Sequence, residues 1–381
     1  MSPTGHVPDV DMVQLLTPTG QRRDHPDYSP RIAHLDADAL RGLYRDMVLV
    51  RRFDTEATSL QRQGELALWV QCLGQEAAQI GSGRALAPND YVFPSYREHG
   101  VALTRGVDLT DILRLFRGVE HGGGWDPREH GFHLYTLVIA AHTLHATGYA
   151  MGLQRDGLVG TGDPARDAAV ITYFGDGATA QGDLNESLTF AAVNNAPIVF
   201  FCQNNQWAIS EPTTRQSRVP LVRRGDGFGI PSVRVDGNDV LASYAVTAEA
   251  LERARSGGGP TFIEAYTYRM GAHTTSDDPT RYRSAAEDDY WRQRDPIDRL
   301  RALLIADDEL PEDFRSGLEA EAAALGDRIR TAVRAWPDPE TSTMFDHVYA
   351  TPNAIVDSER AWLARYESAF LDAAPAEGSH S

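Results

Sequence analysis

The sequence is short of cysteine, of positive charge and of long apolar runs. Its two cysteines, Cys72 and Cys202, cannot frame a disulfide-stapled fold, and Cys202 falls in an apolar stretch that reads as a buried strand. A reducing compartment fits both. The 36 basic residues are outnumbered by 54 acidic ones, for a formal net charge of −18, which speaks against nucleic acid and against anionic membrane surfaces as partners. No apolar run approaches the ~18 residues of a membrane-spanning helix. The N-terminal stretch carries Asp9 and Asp11 and no apolar segment, unlike a signal peptide, and is more acidic than a transit peptide. These absences lead us to expect a cytoplasmic protein. No internal repeat is present. At 381 residues and 42% hydrophobic, the chain can bury a sizeable core in one large domain or two.

The most informative stretch runs from residue 168 to 207. Ala169 to Phe174 is a short, β-branched apolar run that stops at Gly175, and Pro197 to Cys202 is a second, ending in a polar cluster. Leu184, Leu188, Ala191 and Ala192 lie between them at helical spacing. Two buried strands joined by a helix predict a parallel βαβ unit. Ligands of parallel sheets bind beyond the carboxyl ends of the strands, and here those ends carry Gly175-Asp176-Gly177 and Asn204-Asn205. The glycines permit a tight turn and close approach of a ligand. Asp176 supplies an anionic oxygen, Asn205 a neutral amide oxygen, and the Trp207 carbonyl a third. Magnesium takes a few such oxygens and completes its octahedron with phosphate and water. The helix after the glycine turn is expected to direct its free N–H groups at the same phosphates. Either motif alone reads more readily as a turn or a loop; the pair, flanking one helix, is specific.

Two further stretches add cations and a histidine. In Phe93-Pro94-Ser95-Tyr96-Arg97, the proline enforces an extended approach, and Tyr96 and Arg97 set a hydroxyl beside a guanidinium; arginine's fork suits phosphate. Residues 268–284 form a long polar loop after an apolar run and carry Arg269 and His273. Loops of that kind are usually functional, and His273 can hydrogen-bond a phosphate or move a proton. His121, His130 and His133 match no zinc spacing, and we read them as solvated.

These motifs resemble those of thiamine-diphosphate enzymes, in which GDG is followed by NN. GDGATAQGD, FFCQNNQWAISEPT, RVDGNDV and the YRxGxH(S/T)xSDDPxxYR loop are similar to the E1 α subunits of 2-oxoacid dehydrogenases, over roughly residues 35–350. The resemblance is closer to the branched-chain type than to pyruvate dehydrogenase E1 α, through Tyr173-Phe174, Phe200-Phe201-Cys202 and Ala208-Ile209-Ser210; acetoin dehydrogenase α shares the cofactor. It implies Asp176, Asn205 and the Trp207 carbonyl as magnesium ligands, Gly177 and Ala178 on the diphosphate through backbone, and Tyr96, Arg97, Arg269 and His273 around the diphosphate. His273 is also implied in acyl transfer, as the catalytic residue of this chain. Leu137 and Ile139 would contact the aminopyrimidine ring largely through backbone, although relatives often carry Ser-Pro where Leu137-Val138 stand. Gln203 occupies a position where branched-chain relatives carry Arg, and Thr274 one where mitochondrial relatives carry a phosphorylated Ser. No glutamate for relaying a proton to the pyrimidine is evident. The resemblance places it on a separate β subunit, within an α₂β₂ assembly that decarboxylates a 2-oxo acid such as 3-methyl-2-oxobutanoate and passes the acyl group to a lipoylated E2 acyltransferase. A degenerate, non-catalytic scaffold is the competing reading; loss of Asp176, Asn205 or His273 would have favoured it.

The expected architecture is α/β: a doubly wound, mostly parallel sheet flanked by helices, of the thiamine-diphosphate-binding type. Residues 1–30 read as an extended arm with one short strand at 13–16, residues 31–350 as the cofactor-binding domain, and residues 351–381 as a C-terminal helix and a disordered tail. Helices are expected over 36–63, 74–87, 241–255, much of 287–335 and 358–371.

Overall fold

The structure, a computed structural model, describes residues 11–119 and 123–371. The strands in chain order are β1 Tyr91–Phe93, β2 Val170–Gly175, β3 Ile198–Asn204, β4 Trp207–Ala208, β5 Glu211–Pro212, β6 Ser232–Asp236 and β7 Thr261–Tyr266. Five form one parallel sheet in the order β1-β2-β3-β7-β6, and β4 with β5 makes a small antiparallel hairpin. The expected α/β class with a parallel sheet flanked by helices is what the chain adopts. Every residue of β3 and β7 is buried, as in a parallel sheet covered on both faces, and the buried polar members Asn204 and Glu264 bond each other at 2.7 Å.

The strand periodicity of two sends Val170, Phe174, Ile198, Phe200 and Cys202 to one face. There they meet Ala146 and Ala150 of the helix Ala141–Arg155 and Leu184 and Leu188 of the helix Gly182–Val193. Tyr173 points the other way and donates its hydroxyl to Ser82 Oγ at 2.9 Å, on the helix Glu76–Arg84. That helix lies close against the helix Val240–Arg255: a Cβ on Gly81 would meet the Val240 carbonyl at 2.6 Å. Asp36 caps the long helix Ala37–Arg62 by accepting from Ala39 N.

Edge strand β1 and the helices His99–Thr104 and Leu109–Arg117 are short and not apparent in the sequence pattern. Of the N-terminal arm, Val13 makes a parallel bridge to Val235 of β6, and the Leu15 and Leu16 amides donate to the buried Asp239 carboxylate at 2.7 and 2.5 Å. The expected strand at 13–16 is thus two isolated bridges, Val13 to Val235 and Leu16 to Arg22, anchored by the Asp239 side chain. Residues 1–10, His121 and the expected disordered tail from 373 lie outside the described residues.

The chain divides into two units, after Arg334, rather than at residue 350. The helix Glu312–Ala335 ends there, and Pro337 and Pro339 follow. In the second unit, the helix Ala354–Leu371 is capped by Asn353 Oδ1 accepting from Ile355 N at 3.0 Å. Thr341 Oγ1 donates to Glu367 at 2.8 Å, and Arg360 pairs with Asp346 at 2.9 Å.

The chain has no lysine; all 36 basic residues are arginines. They carry buried ion pairs such as Arg299–Asp236 at 2.8 Å and Arg234–Glu264 at 3.3 Å, which suits a planar, multiply donating guanidinium. Among the described residues no helix is long and apolar enough to cross a membrane.

Candidate active site

At the carboxyl ends of β2 and β3 lies a cleft of about 230 Å³. Asp176, Gly177, Ala178, Asn205 and Trp207 line it together with Tyr96, Arg97, Arg269 and His273. The sequence brings these residues from four separate stretches, and the sheet gathers them. Ile139 also lines the cleft, but Leu137 does not and is 57% exposed. The contact expected of both is through main-chain atoms, which side-chain exposure leaves untouched.

The turn after β2 differs in detail from the expectation. Asp176–Ala180 forms a 3-10 turn and Gln181 is extended, so the helix begins only at Gly182. The backbone N–H groups nearest the cleft are those of the 3-10 turn rather than of the helix. Gly177 is needed where it stands, because a Cβ there would meet Ala208 Cβ at 2.9 Å.

The three expected metal-ligating oxygens are held by internal donors. Asp176 Oδ2 accepts from Gln216 Nε2 at 2.8 Å and Thr213 Oγ1 at 3.2 Å. Asn205 Oδ1 accepts from Trp207 N at 3.2 Å, and its amide donates to Gln75 Oε1 at 2.8 Å. The Trp207 carbonyl accepts from Arg269 Nη1 at 2.9 Å, and Arg269 Nη2 reaches the Ile209 carbonyl at 3.0 Å. Gln206 and Ile209 adopt positive φ, 74° and 56°. For a β-branched residue that is strained backbone, held here by the buried guanidinium. Burial raises the Asp176 carboxyl above the usual range, opposed by the Gln216 hydrogen bond and the Arg269 charge. A divalent cation would relieve that cost. A carboxylate, an amide oxygen and a main-chain carbonyl form a donor set that suits magnesium.

His273 sits between two guanidinium groups. Its Nδ1 is 3.3 Å from Arg97 Nη2 and 3.4 Å from Arg269 Nη1, and Arg97 Nη2 also donates to the His273 carbonyl at 3.0 Å. Burial, then the charges of Arg97 and Arg269, pulls its pKa down to about 3, so the imidazole is neutral. Burial and Arg97 pull Arg269 down to about 10. Two cations around a neutral histidine, with Arg269 Nε buried and without a partner, form a pocket suited to a multiply charged anion.

The acidic residues of the 268–284 loop build the loop itself. Asp277 accepts from His273 N at 3.0 Å and from the Tyr282 hydroxyl, and Arg283 donates to the carbonyls of Arg269 and, at 2.9 Å, Gly271. The loop is stitched to residues 69–73 through Thr275 N to Trp69 O at 3.0 Å and Met270 N to Leu73 O at 2.9 Å. Thr274 is half-buried.

Sequence reasoning missed a buried amide network beneath the cleft. Gln203 Oε1 accepts from Gln75 and Gln79 at 3.0 and 3.1 Å, while its amide donates to Glu98 Oε1 at 2.7 Å. The buried Glu98 carboxyl rises above its usual range through burial, opposed by hydrogen bonds from Ser95 and the backbone. It also missed His142. Its Nε2 lies 2.7 Å from the Tyr173 carbonyl, which accepts only if that nitrogen is protonated; Nδ1 is then an acceptor, buried and without a donor, on a side chain that lines the cleft. Among the described residues no cluster of three or more His, Cys, Asp or Glu could hold a metal.

Residues 44–336 match the model of the family described as Dehydrogenase E1 component. The chain belongs to that family. The E1 dehydrogenases are thiamine-diphosphate-dependent enzymes. This E1 chain is 45% identical over 374 residues to "3-methyl-2-oxobutanoate dehydrogenase subunit alpha" of Mycobacterium tuberculosis, covering 95% of this chain and 98% of that protein. It is 39% identical over 324 residues to "2-oxoisovalerate dehydrogenase subunit alpha 2, mitochondrial" of Arabidopsis thaliana, covering 81% of this chain and 66% of that one. "Pyruvate dehydrogenase E1 component subunit alpha" of Acholeplasma laidlawii is 39% identical over 323 residues, covering 83% and 90%.

Proposed function

We propose that this chain is the α subunit of a branched-chain 2-oxoacid dehydrogenase E1 component, acting on substrates such as 3-methyl-2-oxobutanoate with thiamine diphosphate and magnesium. The observation that carries the substrate class is the 45% identity, over nearly the whole of both chains, to a 3-methyl-2-oxobutanoate dehydrogenase α subunit. The cleft supports the cofactor assignment, because Asp176, Asn205 and the Trp207 carbonyl line it together with Arg97 and Arg269.

Asp176, Asn205 and the Trp207 carbonyl would hold the metal, and Arg97, Arg269, Tyr96 and the N–H groups of Gly177 and Ala178 would hold the diphosphate. Thiamine diphosphate, when bound, supplies the carbon nucleophile and electron sink for decarboxylation. His273 enters this site neutral, and an anion placed beside it favours its protonated form. It can therefore hold a proton against the diphosphate and return it during acyl transfer. Ile139 lines the same cleft and would contact the cofactor through its main chain.

The carboxylates that line the cleft, Asp176 and the buried Glu98, have other partners here: Gln216 and Thr213 bond Asp176, and Ser95 and Gln203 bond Glu98. A β subunit supplies the carboxylate for protonating the pyrimidine in our reading, and the acyl group leaves to a lipoylated E2. The test is co-expression with a β-type chain, followed by decarboxylation assays with thiamine diphosphate, magnesium and an artificial electron acceptor. Preference for 3-methyl-2-oxobutanoate over pyruvate is expected. Preference for pyruvate would replace the substrate assignment, in line with the relatives named pyruvate dehydrogenase, and leave the cofactor residues in place. Turnover by the α chain alone would overturn the divided site.

A further inference from the structure

A second cavity, of about 190 Å³, shares only Trp207 with the cofactor cleft among the residues that line it. Arg234 of β6 and Glu264 and Tyr266 of β7 form its buried floor. Its rim belongs to residues 212–220, which are partly or fully exposed. Arg234 is the polar centre of the floor. Its Nη2 lies 3.3 Å from Glu264 Oε1, and its guanidinium covers the Tyr266 ring at 4.2 Å. Glu264 has donors of its own: Oε1 accepts from Asn204 Nδ2 at 2.7 Å and Oε2 from Val222 N at 2.8 Å. Arg234 is less well served, because its Nε and Nη1 are buried without a hydrogen-bond partner. Buried N–H groups of a cation are costly to leave unpaired, so this guanidinium is ready to donate to an acceptor that enters the cavity.

The surroundings select the acceptor. Between Glu211 and Asp226 the chain carries Arg215, Arg218, Arg223 and Arg224 and no acid, in a protein of net charge −18. A stretch of that sign at the rim draws anions. The inner lining limits their charge. Glu264 and Glu287 both line the cavity, the latter accepting from Trp207 Nε1 at 2.9 Å, and two carboxylates repel a dianion far more than a monoanion. Pro212, Val219, Pro220 and Leu221 supply apolar wall. A cavity of about 150 Å³ takes benzene, so this one suits a molecule of roughly six to eight non-hydrogen atoms. One charge, an apolar body and that size together describe a carboxylate on a short aliphatic chain.

We infer that this cavity is a binding site for a short aliphatic monocarboxylate, held by Arg234 and separate from the cofactor cleft. The site goes beyond the function proposed above and does not depend on it.

The test is a ligand-observed NMR titration of the full-length chain with 3-methylbutanoate, which lacks a 2-oxo group. The comparison ligands are 3-methylbutanamide, the same shape without the charge, and inorganic phosphate. Each is titrated with and without saturating thiamine diphosphate and magnesium, on wild type, Arg234→Met and Val219→Trp. Val219 is 50% exposed at the rim, so the fold accommodates an indole that fills the mouth. That variant decides the matter if Arg234→Met, which leaves Glu264 without its cation, fails to fold. Saturable binding of 3-methylbutanoate to wild type is expected, and it should persist with the cofactor bound. The amide, phosphate and both variants should each show binding weaker by about 10-fold or more. No saturable binding, equal binding of either comparison ligand, displacement by thiamine diphosphate, or wild-type affinity in either folded variant would overturn the site. Failure of thiamine diphosphate itself to bind would count against the proposed function and leave the site standing.

Discussion

Arg269 donates from Nη1 to the Trp207 carbonyl, at 2.9 Å, and from Nη2 to the Ile209 carbonyl, at 3.0 Å. One fully buried guanidinium thus clamps the strained segment that carries a proposed metal-ligating oxygen. Arg269→Gln removes the fork. We expect a folded protein whose magnesium-dependent affinity for thiamine diphosphate, measured by calorimetry on the αβ complex, falls about 10–100-fold, as for groups that orient a ligand.

Asp176 is the one carboxylate in the proposed metal set. Asp176→Ala should abolish magnesium-dependent cofactor retention, a loss on the order of 100-fold or more and larger than that of a supporting residue, while far-ultraviolet circular dichroism stays unchanged. Unaltered cofactor binding by calorimetry would remove Asp176 from the metal site.

The two glycines flanking Asp176 should respond differently to alanine. A Cβ on Gly177 meets Ala208 Cβ at 2.9 Å, whereas one on Gly175 has nothing within 4 Å. Gly177→Ala is expected to destabilise by about 1–3 kcal/mol through overpacking and to displace the hairpin at 207–212. Gly175→Ala should melt as wild type does.

His273 has a pKa near 3, far below its unfolded value of 6.5. The folded state resists protonation, so this group's contribution to stability is present above pH 6.5 and is lost as pH falls from 6.5 toward 3. Bound diphosphate reverses the local charge. Cofactor binding at pH 6 should take up a proton, visible as a buffer-dependent calorimetric enthalpy, and His273→Gln should lose that uptake.

Asp54 is buried, accepts from Trp69 Nε1 at 2.7 Å and Cys72 N at 3.1 Å, and is raised by burial to about 7. Its folded value lies above its unfolded one, so stability falls as pH rises from about 4 to about 7 and levels off above. Asp54→Asn loses one acceptor and is expected to be less stable than wild type at pH 5. It should recover on the order of 1 kcal/mol or more relative to wild type by pH 8, in urea titrations at the two values.

The parts of the site that sit on strong periodic elements were legible. Asp176 and Asn205 end apolar runs whose period and length mark them as strands, and parallel strands put their carboxyl ends on one side. Gln75, Gln79 and Gln203 were not legible, because an uncharged amide on a helix or strand looks like any polar position until its partners are seen. His142 follows the non-glycine positive φ of Ala140, 69°, which no composition reveals. Asp277 and Arg283 of the long loop do internal work: they fold the loop that presents Arg269 and His273. The start of the helix at Gly182 escaped for a related reason, since a 3-10 turn and an α-helix share the same small and acidic residues at their beginnings.

The all-arginine composition of the ion pairs has a chemical consequence. Enzymes of the proposed class work beside acyl thioesters, which transfer acyl groups to unprotonated amines. A guanidinium stays protonated and is a poor nucleophile at neutral pH, so this chain presents no side-chain amine to be acylated. The same property makes it silent to amine-directed crosslinkers except through its α-amino group, and its contacts with partner chains are better mapped through carboxylates.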